Sequence, residues 1–519
     1  MAGVKRWLPW SVAGLALLAI GAAVWQLESA SHGVRIDTQR LGTTPVTVFR
    51  PAQAASPAPV VLIAHGFAGS QQLMQPIALT LARNGFVAIS FDFPGHGRNA
   101  TPMRGGLTDT DASLRTLLAS MVQMGEFAHG LSKAEGGDGR YAVLGHSMAS
   151  DIVVRHAQAH ADVRATVGVS LFAPSIKPGT PGDSPANLLV VAGALEPGMM
   201  AREALRVVGP GAALDISYGR FADGTARRAT LSPGVEHIGV LYSPHTLAAM
   251  LDWLNAAFDR APASRPFIDA RGPWLGLLLL GVVALAWPLS RLLPRVGRVA
   301  PAAPQRRRWW GWRGQALPSL LPALITPLVL WKLPSDFLPI LLGDYLVLHF
   351  GLYGLLTLAA LWMQGQRPPR IERGRALAFG LALLFTTTYA LWAVGAPLDR
   401  WVFNMRPQLM RLPLILVLCA GTLPYFLADE WLTRDAAAPR GAYVASKLCF
   451  LLSLVLAIAL NPPRLFFLAI IVPAILLLFI IYGLFSRWAG QRTGHPAVAA
   501  TANALAFGCF MAVTFPLVA

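Results

Sequence analysis

The chain has 519 residues, of which 54% are hydrophobic and only 13% charged, with a mean hydropathy of +0.50. That balance is too apolar for a soluble protein of this length and implies long membrane segments beside a sizeable soluble part. The formal net charge of +17 would suit a nucleic-acid partner, but its distribution argues against one: residues 28–265 hold 19 Lys+Arg against 18 Asp+Glu (+1), and the remainder 24 against 8 (+16), in short loops between apolar runs.

At the start of the chain, Lys5 and Arg6 precede an apolar run from Leu8 to Leu27, long enough to cross a bilayer as a helix. A cleaved signal peptide is the rival reading, but the run is long for one and no clear small-x-small site follows it. The preferred expectation for residues 1–27 is therefore an uncleaved signal anchor with its N-terminus inside. That choice places residues 28–265 outside the cytoplasm, in the periplasm of a bacterial inner-membrane protein or its equivalent.

From Glu28 to Arg265 short β-branched runs alternate with helical stretches. Expected strands are 45–50, 59–64, 86–91, 141–145, 165–171, 187–192 and, last, 214–218. Expected helices are 74–84, closed at Gly85, then 109–131 and 148–160. This alternation predicts an α/β domain, a mostly parallel sheet covered on both faces. No cysteine falls in it, since Cys419, Cys449 and Cys509 all lie in later apolar runs. A disulfide framework or zinc cluster is thereby excluded for this domain, and no cofactor or metal is expected.

Within that domain, Tyr141-Ala-Val-Leu-Gly-His-Ser-Met-Ala-Ser150 reads as a buried strand, a serine between small residues, and a helix start. A sharp strand-to-helix turn needs small neighbours two residues either side of the serine, and Gly145 and Ala149 provide them. The segment resembles the G-x-S-x-G nucleophile elbow of the α/β-hydrolase superfamily, with Ala149 in place of the second glycine. Three further segments resemble that family's pattern in the right chain order. Ala64-His-Gly-Phe-Ala-Gly-Ser70 matches the H-G-x loop, which would make the Phe67 N–H an oxyanion donor alongside the Met148 N–H. His65 itself is read as tying that loop together. Asp92-Phe-Pro-Gly-His-Gly97 matches the D-x-P-G-H-G loop, in which neither Asp92 nor His96 is expected to act chemically.

Glu196, at the end of the run Leu188–Ala192, occupies the family's acid position, where Asp is commoner than Glu; Asp223 is the alternative acid. His237, after the last strand and before the final helix, stands where the family has its base, and His245, placed on that helix, reads as a surface or packing residue. The resemblance implies a Ser147–His237–Glu196 triad that forms an acyl-enzyme with an ester. Only Ala173–Asn187 separates two strands where relatives often insert a lid, so the domain reads as lidless.

Residues 266–519 are read as an all-α membrane domain of about eight spans: 273–293, 315–331, 337–363, 376–396, 412–430, 443–461, 463–486 and 497–518. The break at Asn461-Pro-Pro463 predicts a tight helical hairpin. With the anchor this gives nine crossings, and with the N-terminus inside, 18 Lys+Arg fall in inner segments against six outside: Arg271, Lys332, Arg400, Arg406, Arg411 and Arg464. Trp309, Trp310 and Trp312 fit an aromatic belt, and a Pro/Arg-rich inner loop runs near 294–308. Asp344 and His349 lie inside a span, five residues apart, too far round a helix to pair, while Asp429, Glu430 and Lys447 lie near inner span ends where charge is ordinary.

Three functional classes follow. The leading one is a membrane-anchored serine hydrolase that cleaves carboxylic esters, such as acyl esters of an envelope lipid or glycolipid. The second is acyl transfer to an acceptor held by the membrane domain, and the third a non-enzymatic multispan transport or scaffold protein with a degenerate hydrolase domain. The expected partners are an ester or lipid-like substrate and the bilayer, with no nucleic acid.

Overall fold

The computed structural model describes residues 2–53, 57–106, 109–177, 184–297, 311–366, 370–435 and 438–519. The Pro/Arg-rich loop beyond residue 297, with Arg298, Arg306, Arg307, Arg308, Trp309 and Trp310, lies outside them, as do Arg367 and residues 178–183 of the segment read as lacking a lid. The chain divides into two compact units. One comprises Ala23–Gly276, Asp399–Asn404 and Pro516–Ala519; the other comprises Met1–Ala22, Leu277–Leu398 and Met405–Phe515.

The first unit is built on a nine-stranded sheet in the order β1-β2-β4-β3-β5-β6-β7-β9-β8. Its middle, β4 (Val87–Phe91), β3 (Val60–Ala64), β5 (Tyr141–His146), β6 (Val163–Val169), β7 (Leu188–Gly193) and β9 (Arg227–Ser232), is parallel throughout. Runs such as Val-Val-Leu-Ile-Ala in β3 and Val-Ala-Ile-Ser-Phe in β4 are buried at every residue, as a sheet covered on both faces requires. The covering helices include α2 (Gln75–Arg83), α3 (Thr110–Ala134), α4 (Met148–Ala159), α5 (Gly198–Val208) and α6 (Pro244–Ala257).

Two expectations are corrected at the edges. The last parallel strand is Arg227–Ser232, whose Arg-Arg start hides its strand character, whereas 214–218 contributes only a two-residue antiparallel edge, β8 (Ser217–Tyr218). At the other edge, β1 (Val34–Leu41) pairs antiparallel with β2 (Thr44–Pro51). Its largely polar, part-exposed residues gave no apolar signal.

In the second unit eight helices among the described residues, counting the N-terminal one, are long and apolar enough to cross a membrane: Trp7–Ser29, Gly272–Ser290, Gly343–Met363, Ala376–Trp401, Leu409–Arg434, Ala442–Leu460, Leu468–Thr493 and Pro496–Thr514. The expected span 315–331 is a helix, Trp312–Leu330, but one interrupted by Pro318, Pro322 and Pro327 and not apolar enough for that set. The break at Asn461 holds a short helix, Pro462–Leu465, between two long ones.

Small residues bring helices close. A Cβ on Gly354 would stand 2.2 Å from the Tyr425 backbone nitrogen, and one on Gly421 2.3 Å from Val347. Asp344 accepts the Phe337 N–H at 3.1 Å, and His349 sits between the Tyr345 and Ser453 hydroxyls, so both make packing hydrogen bonds rather than a pair. Asp429, Glu430 and Lys447 are buried, not interfacial: Lys447 Nζ lies 2.6 Å from Asp429, and the Ser446 hydroxyl donates to the same carboxylate.

Candidate active site

The parallel strands end on one edge of the sheet, and Ser147, Glu196 and His237 are each carried just past a strand end at that edge. After β5 the chain turns at Ser147 with φ 53° and ψ −117°, a conformation costing about 1–3 kcal/mol for a residue with a Cβ. The turn is held by the Ser147 N–H to Val169 O (2.9 Å) and by the Ser150 hydroxyl to Ser147 O (2.6 Å). It tolerates nothing larger than glycine at 145, where a Cβ would lie 2.5 Å from Ala149 O. The methyl of Ala149 is fully buried and accommodated.

His237 reaches this serine from the loop between β9 and α6. Its Nε2 lies 2.8 Å from Ser147 Oγ and its Nδ1 2.7 Å from Glu196 Oε2. The carboxylate can only accept, so Nδ1 carries the proton and Nε2 is left to accept the serine hydroxyl. Glu196 sits three residues past β7, and its other oxygen accepts the Ser170 hydroxyl and the Gly193 N–H, both at 2.7 Å. Burial opposes its ionisation, but the hydrogen bonds from His237, Ser170 and Gly193 outweigh burial and hold the carboxyl below its ordinary value of 4.5. The three candidates read from the sequence therefore form one hydrogen-bonded chain. Asp223 does not join it: exposed, it pairs with Arg220 at 3.4 Å. His245 contacts the Thr230 hydroxyl at 3.2 Å on α6.

The loop after β3 lies against the elbow, because β3 and β5 are neighbours with Ala64 opposite Gly145. A Cβ on Gly66 would meet His146 Nδ1 at 2.9 Å and Ser147 Cβ at 3.0 Å, so the turn carrying Phe67 is packed onto the serine with room for no side chain. Its shape is set by Gly69 N–H to Gly66 O (3.0 Å) and by the buried His65 ring, whose Nδ1 donates to Gly66 O (2.8 Å) while Nε2 accepts the Phe93 N–H (3.1 Å). Burial lowers the pKa of His65, which suits a neutral ring bridging two loops. Asp92 accepts the Gln71 N–H (2.8 Å) and the Arg98 N–H (2.9 Å), so it too is a loop staple.

Two residues at the site went unnoticed in the sequence. His146 is buried, donates from Nε2 to the His237 carbonyl oxygen (2.9 Å), and is pushed down to about 3 chiefly by desolvation. Ser170 orients Glu196 from the end of β6, at φ 51°. A polar residue just past an apolar strand was the only available signal for either. The loops that carry Ser170, Glu196 and His237 also carry exposed apolar residues close by in sequence: Phe172, Leu195 and Ile238. Among the described residues no group of His, Cys, Asp or Glu is arranged to hold a metal.

Residues 55–205 match the family model described as serine aminopeptidase, S33. Among solved structures the chain is similar to a "predicted CIB-like hydrolase" from Thermoplasma acidophilum, at 18% identity and TM-score 0.32, covering 43% of this chain and 97% of that one. It is also similar to a soluble variant of monoglyceride lipase from Saccharomyces cerevisiae, at 14% identity and TM-score 0.31, covering 43% and 96%. A third is a membrane phospholipase A described as a bacterial virulence factor, at 12% identity and TM-score 0.31, covering 50% and 95%. No curated protein matches the chain in sequence.

Proposed function

We propose that this chain, whose first unit is an α/β-hydrolase domain of the serine hydrolase type, is anchored in a membrane and cleaves carboxylic esters of lipid-like substrates, with Ser147 as nucleophile, His237 as base and Glu196 as acid. The observation that carries this reading is the unbroken chain Ser147–His237–Glu196 at 2.8 and 2.7 Å. In the proposed reaction Ser147 Oγ attacks the ester carbonyl carbon while its proton passes to His237 Nε2. The resulting oxyanion is held by the Phe67 and Met148 amides. The imidazolium, stabilised by Glu196, returns the proton to the leaving alkoxide, and an acyl-Ser147 remains. Water, deprotonated by His237, attacks that ester; the tetrahedral adduct collapses, freeing the acid and restoring the serine.

The lipid-like substrate is favoured by the apolar rim. Phe172, Leu195 and Ile238 leave 54%, 67% and 37% of their surface exposed on the loops that carry Ser170, Glu196 and His237. Exposed apolar side chains on the loops that supply the proposed triad favour an acyl chain over a charged substrate. A p-nitrophenyl ester series of increasing acyl length tests this directly. Rising kcat/KM from acetyl to octanoyl, lost in Ser147→Ala, is the expected result, and a flat series or a preference for aminoacyl amides would reject the lipid-like substrate.

Membrane insertion follows from the helices, and their number bears on orientation. Asp399–Asn404 and Pro516–Ala519 belong to the same compact unit as the sheet, and so share its side of the bilayer. Between the sheet and Asp399 come Gly272–Ser290, Trp312–Leu330, Gly343–Met363 and Ala376–Trp401. Crossings must be even in number for both ends to share a side, which favours counting Trp312–Leu330 as a crossing in spite of its prolines. The loop-charge bias favours an orientation with the hydrolase unit outside the cytoplasm.

A further inference from the structure

The loop that follows β4 is gripped by two segments from the far end of the sequence, both part of the same compact unit as the sheet. On one side, the Arg98 guanidinium donates to both carboxylate oxygens of Asp399, each at 3.0 Å, and from Nε to Asn404 Oδ1 at 3.2 Å. Asn404 passes the contact on: its side-chain amide donates to Gly97 O (3.2 Å) and its backbone N–H to Ser70 Oγ (3.1 Å). On the other side, Leu517 N–H donates to Gly95 O (2.9 Å) and Met103 N–H to Leu517 O (2.9 Å), a short stretch of parallel pairing. Gly95 has φ +76°, and a Cβ there would lie 2.3 Å from Leu517 O, so this close approach demands glycine.

These contacts end on the turn that carries Phe67. Ser70 directly follows the turn that Gly69 N–H closes onto Gly66 O, and Asp92 ties Ser70's neighbour Gln71 to Arg98 through two backbone N–H groups. A shift of Asp399–Asn404 would therefore be felt at Ser70 and Gly97 together. The Asp399 side chain is only 8% exposed, so losing the Arg98 guanidinium removes a charge-assisted hydrogen bond to each oxygen of a mostly buried carboxylate.

We propose that Arg98, Asp399 and Asn404 form a positioning clasp that sets the Phe67 amide for the oxyanion, so that the hydrolase is complete only with chain from beyond residue 398. The clasp rests on the reading of Ser147 as nucleophile. None of its members touches the substrate. They act through the turn, where a displacement of a fraction of an ångström weakens one donor in the transition state while leaving ground-state binding almost unchanged.

The test uses the full chain in lipid nanodiscs, with p-nitrophenyl butyrate turnover and the rate of fluorophosphonate labelling as readouts. Asp399→Ala, Arg98→Ala and Ser70→Ala are each expected to lower kcat about tenfold, with KM changed less than about twofold, as loss of placement rather than of binding predicts. The Arg98→Ala/Asp399→Ala double variant should lose clearly less than the product of the two single losses, since both remove the Arg98–Asp399 pair. Asp399→Glu should recover most of the rate. Unchanged kcat in Ser70→Ala and Asp399→Ala, or losses that multiply in the double variant, would overturn the clasp while leaving Ser147 active in the wild type. If the charge variants do not fold, Ser70→Ala decides alone, because it removes one hydroxyl and no charge. A wild type that neither turns over ester nor labels at Ser147 would overturn the nucleophile reading and the clasp with it.

Discussion

His146 Nε2 donates to the carbonyl oxygen of His237 at 2.9 Å, so the residue just before the proposed nucleophile holds the backbone of the proposed base. The acceptor is a carbonyl, which fixes the proton on Nε2. The two imidazole rings lie 5.0 Å apart between centroids, tilted by 45°.

Replacing His146 with Phe keeps an aromatic ring and deletes the donor, leaving the His237 carbonyl short of a partner in a part-buried site. An unpaired group of that kind costs stability by about 1–3 kcal/mol, and kcat should fall as the His237 backbone loses its tie to the elbow. Steady-state kinetics on a p-nitrophenyl ester decides it, and an unchanged kcat would mean that the His237 loop needs no such support.

The buried histidines predict an acid-labile fold. His146 and His156 are pushed down to about 3 and about 4, chiefly by desolvation, from an ordinary value of 6.5, and His65 is lowered for the same reason. Because the unfolded chain binds these protons and the folded one does not, stability is full above pH 6.5 and falls as pH drops toward 4. Melting temperatures between pH 7.5 and 4.5 should decline. A His156→Gln variant, whose side chain takes up no proton, should decline less steeply; equal slopes would contradict the assignment.

Glu196 works in the opposite sense. Its carboxyl is held below 4.5, so its contribution is present at and above that pH and is lost only in stronger acid, as pH falls through the lowered folded value. The acid limb of the activity profile therefore should not move in Glu196→Asp. Glu196→Gln should lower kcat by about 10³–10⁴, the scale for a triad acid replaced by its amide. Asp223→Asn, at an exposed ion pair, should leave kcat intact. A large loss there instead would reassign the acid.

The crossing of Trp312–Leu330 can be read from the loop that follows it. Asp336 lies between that helix and Gly343–Met363. With the three native cysteines replaced, Asp336→Cys should react with a membrane-impermeant maleimide from the side of the hydrolase unit, and Glu372→Cys from the other side. The reverse pattern would remove the helix from the set of crossings.

How much was legible from sequence depended on whether a residue's role was local. Strands such as Val60–Ala64 and Tyr141–His146 are apolar end to end because both faces are covered, and their pattern is visible without neighbours. Ser147, Glu196 and His237 could be named because each sits at a strand end in a fixed chain order. Arg227–Ser232 escaped notice because its first two residues are arginines, and it is a strand only through pairing with Leu188–Gly193. His146 and Ser170 take their meaning from what they face, not from their neighbours in sequence. Asp399 and Asn404 were least visible of all, being about 300 residues from the Arg98 and Ser70 they meet.

The central claim is that Ser147 is an activated nucleophile. Labelling the full chain with a fluorophosphonate, followed by peptide mapping of the modified site, tests it most directly, because the reagent phosphonylates a serine only where a base removes its proton and donors hold the oxyanion. An activated Ser147 should take the one label, lost in both Ser147→Ala and His237→Ala. A well-folded wild type that takes up no label, or takes it on another serine, would contradict it.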